Sequence, residues 1–282
     1  MVSITKIEDV QKVLNSLRVN DKKTGFVPTM GALHPGHISL ISKSVERGDN
    51  TVCSIFVNPT QFNDSADFEK YPRTLENDLA LLAKNGCNVV FMPSVEEMYP
   101  GGSTLREHYD LGFIETILEG RFRPGHFQGV CQVVERLLRI VQPDELFLGQ
   151  KDLQQILVIK KMIELKNIQT DVIICETLRE PSGLASSSRN ARLSEMQKEQ
   201  AAIIYRMLQY CRENLYNRSL EELSAYAQQH ILGNGFDKID YFSFHNAATL
   251  APVELWDGEE KLSALFAGYI GGVRLIDNMF MN

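Results

Sequence analysis

The chain has 282 residues, 44% of them hydrophobic and 23% charged, with a formal net charge of −7 at pH 7. That length suits one large α/β unit or two domains, and those proportions exclude disordered and collagen-like classes. The acidic balance argues against a chain that grips nucleic acid, since neutralising a phosphate backbone takes a basic surface; a local basic pocket for a small anion stays open.

Five cysteines, Cys53, Cys87, Cys131, Cys175 and Cys211, are scattered and form no C-x-x-C pair. They read as buried thiols in a reducing cytoplasm rather than as a disulfide framework or a zinc site. The opening MVSITKIEDVQKVL carries acids and lysines among its apolar residues, unlike a signal peptide, and no apolar run is long enough to predict a membrane span.

In chain order, TGFVPT reads as a strand, followed by an apolar helix from about Gly36 to Val45. TVCSIFV is the next strand. LENDLALLAKNG is a helix with Thr74 as its N-cap and Gly86 as its stop. NVVFMP is a third strand. In HFQGVCQVVERLLRIVQP the residues Phe127, Val130, Val134, Leu137, Leu138 and Val141 recur at helical spacing until Pro143. ELFLG, LQQILVIKKMIELKN and TDVIIC then give strand, helix and strand. Strands alternating with helices imply parallel βαβ units in a doubly wound, Rossmann-like sheet, where ligands sit beyond the carboxyl ends of the strands.

The pattern changes after Cys175. ETLREPSGLASSSRNARLS has no periodicity and reads as a linker or a functional loop. Ser194 and Gln197 form a capping box, and Ala201, Ile204, Met207, Leu208, Cys211 and Leu215 line one face of the helix that follows. IDYFSFHN and KLSALFAGYIGGVRLIDNMFM read as strands, the last two turned at Gly271-Gly272. The expected organisation is a Rossmann-like domain over residues 1–177 and a smaller α+β domain over residues 178–282.

Chemistry concentrates first in GFVPTMGALHPGH, Gly25 to His37. Gly31 lets the backbone approach a ligand, and Pro35 suits the first turn of a helix. The free N–H groups there, at the positive end of the helix dipole, favour an anion. His34 and His37 leave the same end and can donate to phosphate oxygens. A histidine can also become cationic as charge builds in a transition state. A polar turn with two capping histidines is the plainer alternative; a zinc pair lacks an evident third ligand. Asn58 and Gln61 follow the second strand and should face the same crevice, where uncharged amides suit hydroxyls and a carboxylate. Lys151 can reach phosphates and Asp152 ribose hydroxyls, or the two can be an ordinary surface pair. The SSSR run offers three hydroxyls and a guanidinium in a loop that is either a phosphate clamp or a flexible linker. Arg123 can face a carboxylate or phosphate, and His126 reads as a helix cap or a subunit contact.

The H-x-G-H element resembles the nucleotide-binding signature of the class I aminoacyl-tRNA synthetase and nucleotidyltransferase superfamily. Together with FVNPTQF (Phe56–Phe62), RPGHFQGV (Arg123–Val130), FLGQKDLQQ (Phe147–Gln155) and GLASSSRN (Gly183–Asn190), it is similar to the pantothenate synthetase (pantoate–β-alanine ligase) family, in the family's order. The resemblance implies that Met30, Gly31, Ala32, Leu33, His34, Pro35, Gly36 and His37 bind ATP. It implies the same for Gly149, Gln150, Lys151 and Asp152, for Leu178 through its main chain, and for Ser186, Ser187, Ser188 and Arg189. Gln61 and Gln155 then bind pantoate, with Asn58 in that pocket and Arg123 on a substrate anion. His37, His34, Lys151 and Arg189 carry the catalysis.

The implied reaction is a two-step ligation. Pantoate's carboxylate attacks the α-phosphorus of ATP and pyrophosphate leaves, with His37 available to protonate it. β-Alanine's amine then displaces AMP from the pantoyl adenylate to give pantothenate. Magnesium is expected on the ATP phosphates with no assigned protein ligand, since Asn77 stands where some relatives carry an acid near the ion, while Asp78 is retained. A homodimer in the cytoplasm is expected from the family, with the second domain closing over the cleft and neither nucleic acid nor membrane as partner. The rivals are an adenylyltransferase that keeps AMP in its product and a nucleotide sensor without turnover.

Overall fold

A computed structural model of the chain describes residues 1–18, 22–61, 71–102, 104 and 107–282. Phe62, the last residue of FVNPTQF, lies outside them. The chain divides into two compact units, Met1–Gly149 with Gln155–Cys175, and Gln150–Gln154 with Glu176–Asn282.

The first unit is built on a parallel sheet of β1 (Val2–Ile4), β2 (Thr24–Thr29), β3 (Asn50–Ile55), β4 (Val89–Phe91), β5 (Glu145–Gly149) and β6 (Asp171–Cys175), in the order β1-β4-β3-β2-β5-β6. Among the described residues the helices are α1 (Ile7–Leu17), α2 (Pro35–Glu46), α3 (Leu75–Lys84), the short α4 (Val95–Met98) and α5 (Leu118–Phe122), then α6 (His126–Val141) and α7 (Leu153–Leu165). Successive strand residues point to opposite faces, and the core divides accordingly. Phe26, Val52, Val89, Phe91, Leu146 and Leu148 pack with α1, α6 and α7. Val27, Cys53, Val90 and Phe147 pack on the other face with Leu40 and Ile41 of α2 and Leu82 of α3. A sheet covered on both faces reads as continuous apolar runs, which is why its central strands are legible in the sequence. The order runs outward from β2 through β3 and β4, then restarts at β5 on β2's other side. The switch point therefore lies between the carboxyl ends of β2 and β5, where such sheets bind ligands.

Two differences from the sequence reading have plain causes. The edge strand β1 is three residues long, too short to show a period, and finds its place only by pairing with β4. Thr74 occupies the expected N-cap of α3 but makes no side-chain bond to the helix backbone; its hydroxyl donates to Asp78 Oδ1 at 3.0 Å instead.

The second unit holds an antiparallel sheet of β7 (Lys238–Asn246), β8 (Leu262–Ile270) and β9 (Val273–Phe280), with α8 (Glu195–Ala201), α9 (Ile203–Glu213) and α10 (Leu220–Gly233). Gly271 and Gly272, at φ +55° and +72°, make the two-residue hairpin between β8 and β9, a turn that demands positive φ at both positions. Phe242, Phe244, Phe266, Leu275 and Met279 close a separate core with Ile204, Leu208 and Leu223. The architecture is the α/β, Rossmann-like parallel sheet with a smaller α+β unit that the sequence predicts.

Candidate active site

In the first unit the site begins at the carboxyl end of β2. Thr29 Oγ1 donates to Ser54 O of the neighbouring strand at 2.7 Å and accepts the Gly31 N–H at 3.2 Å. The chain then turns sharply, with Gly31 at φ +79° and Ala32 at +49°. A Cβ on Gly31 would stand 3.1 Å from the Ile55 side chain and 3.2 Å from Asp78 Oδ2, so both space and conformation call for glycine. Ala32 is held in its left-handed conformation by a partner: Asp78 Oδ2 accepts its N–H at 2.9 Å, and Asp78 Oδ1 accepts the Leu33 N–H at 2.8 Å. Asp78 is 1% exposed, and each oxygen takes a backbone N–H of this loop.

The loop delivers His34 to the N-cap of α2. His34 Nδ1 accepts the Gly36 N–H at 3.1 Å, and His37 Nδ1 accepts the His34 N–H at 3.4 Å. The two imidazoles cap the helix reciprocally, with ring centroids 4.0 Å apart. Their hydrogen bonds fix the tautomer. A ring nitrogen that accepts carries no proton, so in this arrangement each ring's proton sits on Nε2. Capping and ligand binding, alternatives in the sequence, are compatible: Nδ1 caps the helix while Nε2–H faces away from that bond as a donor. Met30, His34, Gly36 and His37 are half-buried, Ala32 likewise, and Pro35 is exposed.

After β3 the chain makes a short 3-10 turn, Pro59–Gln61. Asn58 is fully buried beneath it. Its Nδ2 donates to Gly129 O at 3.2 Å, while its Oδ1 accepts from the Tyr99 hydroxyl at 3.0 Å and the Thr60 hydroxyl at 3.1 Å. Asn58 thus braces the turn from inside. The turn lies directly on α6: a Cβ at Gly129 would come within 2.2 Å of Thr60 O, so only glycine permits the approach. Gln61 is half-buried, and its carbonyl meets His126 Nδ1 at 3.1 Å. His126 Nε2 lies 3.2 Å from Arg123 Nη1. Guanidinium only donates, so Nε2 accepts and Nδ1 carries the proton toward Gln61 O. His126, which the sequence leaves as a cap or a subunit contact, links Arg123 to the Gln61 turn. Gln155, half-buried, lies in the first turn of α7, and Gly149 ends β5.

The remaining predicted residues belong to the second unit. Gln150, Lys151 and Asp152 form a 3-10 turn, with Lys151 Nζ 3.4 Å from Asp152 Oδ2 and the lysine side chain 18% exposed. The segment the sequence leaves without structure is a small hairpin. Arg179 bridges Ala185, Leu178 O accepts the Ser186 N–H at 2.9 Å, and Leu178 itself is exposed. Ser187 caps the 3-10 turn Ser188–Arg192 by accepting the Arg189 N–H at 3.2 Å. Ser186 is buried; Ser187, Ser188 and Arg189 are half-buried.

Sequence reasoning leaves the role of Asp78 open. Its signal was present: Asp78 and Leu82 are four residues apart on the buried face of α3, and an acid on an apolar face needs a partner. Among the described residues, no group of three or more His, Cys, Asp or Glu is placed to hold a metal ion. No helix among the described residues is long and apolar enough to cross a membrane.

A sequence profile of the family described as pantoate-beta-alanine ligase matches residues 2–280. A pantothenate synthetase of Bacteroides thetaiotaomicron is 42% identical over 279 residues, covering 99% of this chain and 98% of that one. Among solved structures, a pantothenate synthetase from Thermus thermophilus superposes with a TM-score of 0.91 at 36% identity, over 100% of this chain and 99% of its own. The pantoate-beta-alanine ligase of Francisella tularensis, solved in complex with beta-gamma ATP and beta-alanine, gives a TM-score of 0.82 at 41% identity, over 100% of this chain and 98% of its own. The chain belongs to the pantoate–β-alanine ligase family.

Proposed function

We propose that the chain condenses pantoate with β-alanine, driven by ATP, through a pantoyl adenylate, and that the loop from Met30 to His37 receives the nucleotide's phosphates. The observation that carries the reading is the reciprocal cap at the start of α2. It sets both rings as Nε2–H donors at the positive end of a helix, where a polyphosphate is favoured. Lys151 and Arg189 supply the positive charge for the same phosphates. Gly149 to Asp152, the Leu178 main chain and Ser186 to Ser188 hold the rest of the nucleotide.

In the first step a pantoate carboxylate oxygen bonds to the α-phosphorus and the bond to pyrophosphate breaks. Charge builds on phosphate oxygens, so positioning and hydrogen-bond donation do the work. His37 acts here as a hydrogen-bond donor and is available to protonate the departing pyrophosphate. Gln61 and Gln155 orient pantoate on a turn that Asn58 braces, with Arg123 beside it on His126. In the second step the β-alanine amine bonds to the acyl carbon, AMP leaves with the bonding pair, and the ammonium proton is lost to solvent. Magnesium enters with ATP as part of the substrate.

The homodimer and the cytoplasm are part of the same proposal, supported by the family resemblance and by five cysteines that are all free thiols. The test of the site is His37→Ala. Removing one donor to a developing charge should cut kcat by about a hundredfold to a thousandfold and leave the KM for ATP within a few-fold. A variant that loses ATP affinity and keeps kcat would contradict this role.

A further inference from the structure

The last strand, β9, carries two polar residues in a buried stretch: Asp277 is 4% exposed and Asn278 is 2% exposed. Asp277 shares a face with Leu275 and Met279, which pack into the second unit's core, while Asn278 lies on the opposite face. Buried polar side chains cost stability unless they are hydrogen-bonded, so their partners indicate why they stand there.

Asn278 Nδ2 donates to Gln150 O and to Lys151 O, both at 2.8 Å. One amide thereby holds two successive carbonyls of the turn that bears Lys151. Asp277 takes the other segment. Its carboxylate receives Arg179 in a fork, Nη1 at 2.6 Å and Nη2 at 3.0 Å. The guanidinium also donates to Gly183 O at 3.1 Å and lies 4.2 Å from the Tyr205 ring centroid. Arg179 and Ala185 form the bridge that closes the hairpin leading directly into Ser186–Arg189. Asp277 Oδ1 also accepts the Asn278 N–H at 2.8 Å, which ties the two residues to each other.

We infer that Asn278 is a positioning residue for Lys151, and Asp277, acting through Arg179, for the Ser186–Arg189 loop, so that one dipeptide of β9 sets both segments for the nucleotide. The inference rests on the assignment of Lys151 and Arg189 to ATP. It gives β9, which contributes no side chain to the proposed site, a part in the reaction.

Steady-state kinetics of four variants test it, each assayed below its own melting temperature. Asn278→Ala should lower kcat/KM for ATP by about tenfold to a hundredfold, the cost of a small misplacement of a catalytic group, with the KM for β-alanine within about twofold. Asn278→Ser, which keeps one short donor, should recover part of that loss and carries the test if the alanine variant does not fold. Leu275→Ala truncates the core on the same strand and leaves the Asp277 and Asn278 side chains in place; it should lower the melting temperature and leave kcat/KM for ATP within about twofold. Lys151→Ala should be impaired at least as much as Asn278→Ala. If Lys151→Ala is impaired while both Asn278 variants match the parent enzyme, the positioning role is wrong and the site reading stands. If Asn278→Ala and Leu275→Ala lose kcat/KM alike, Asn278 is only structural and the inference is overturned. If Lys151→Ala is unimpaired, the site reading fails and the inference falls with it.

Discussion

Asp78 decides the shape of the loop that carries the two histidines. It replaces two absent backbone partners for Ala32 and Leu33 and holds a non-glycine residue at positive φ. Asp78→Ala would leave both N–H groups unpaired in a largely buried place, at about 1–3 kcal/mol each. The expected result is a lower melting temperature and a loss of about a hundredfold in kcat/KM, unchanged when magnesium is raised. Recovery at high magnesium would make Asp78 a metal ligand and contradict the clamp. The histidines were legible at this scale because their spacing and their proline-glycine context are local. Asp78, Asn278 and the His126 bridge were not, because each acts across 45 or more positions or through a backbone atom whose direction no spacing reveals.

Among the elements, β5 carries a charge at its buried start as well as the switch point at its end. Glu145 is 1% exposed, yet Arg47 grips it with two bonds of 2.6 Å and Lys23 adds one of 2.9 Å. These bonds, Arg47's first, hold its carboxyl down at about 2 against the opposing cost of burial. A carboxyl whose folded-state value is depressed stabilises the fold above its unfolded value near 4.5. That contribution fades as pH falls from there through about 2. Its size is at most about 3 kcal/mol, and less in practice because both cations are half in solvent. Glu145→Gln should therefore melt several degrees lower at pH 7, with the gap narrowing toward pH 2. A gap that stays constant with pH would assign the loss to packing rather than charge. The strands of the parallel sheet other than β1 were readable from apolar runs, and the antiparallel hairpin from its glycine pair. The hairpin over 179–185 was not, because its fork to Asp277 links residues 98 positions apart and leaves no periodic trace.

On the scale of the molecule, the parallel sheet provides a switch point between β2 and β5, and the second unit fixes two cation-bearing segments on one strand. The reaction passes through a labile intermediate, since an acyl adenylate must meet an amine before it meets water. In the two-step ligation pantoate alone draws the nucleotide through its first bond change. Exchange of labelled pyrophosphate into ATP tests it most directly. Exchange is expected with pantoate present and β-alanine absent, and none without pantoate. Exchange that strictly requires β-alanine would contradict it.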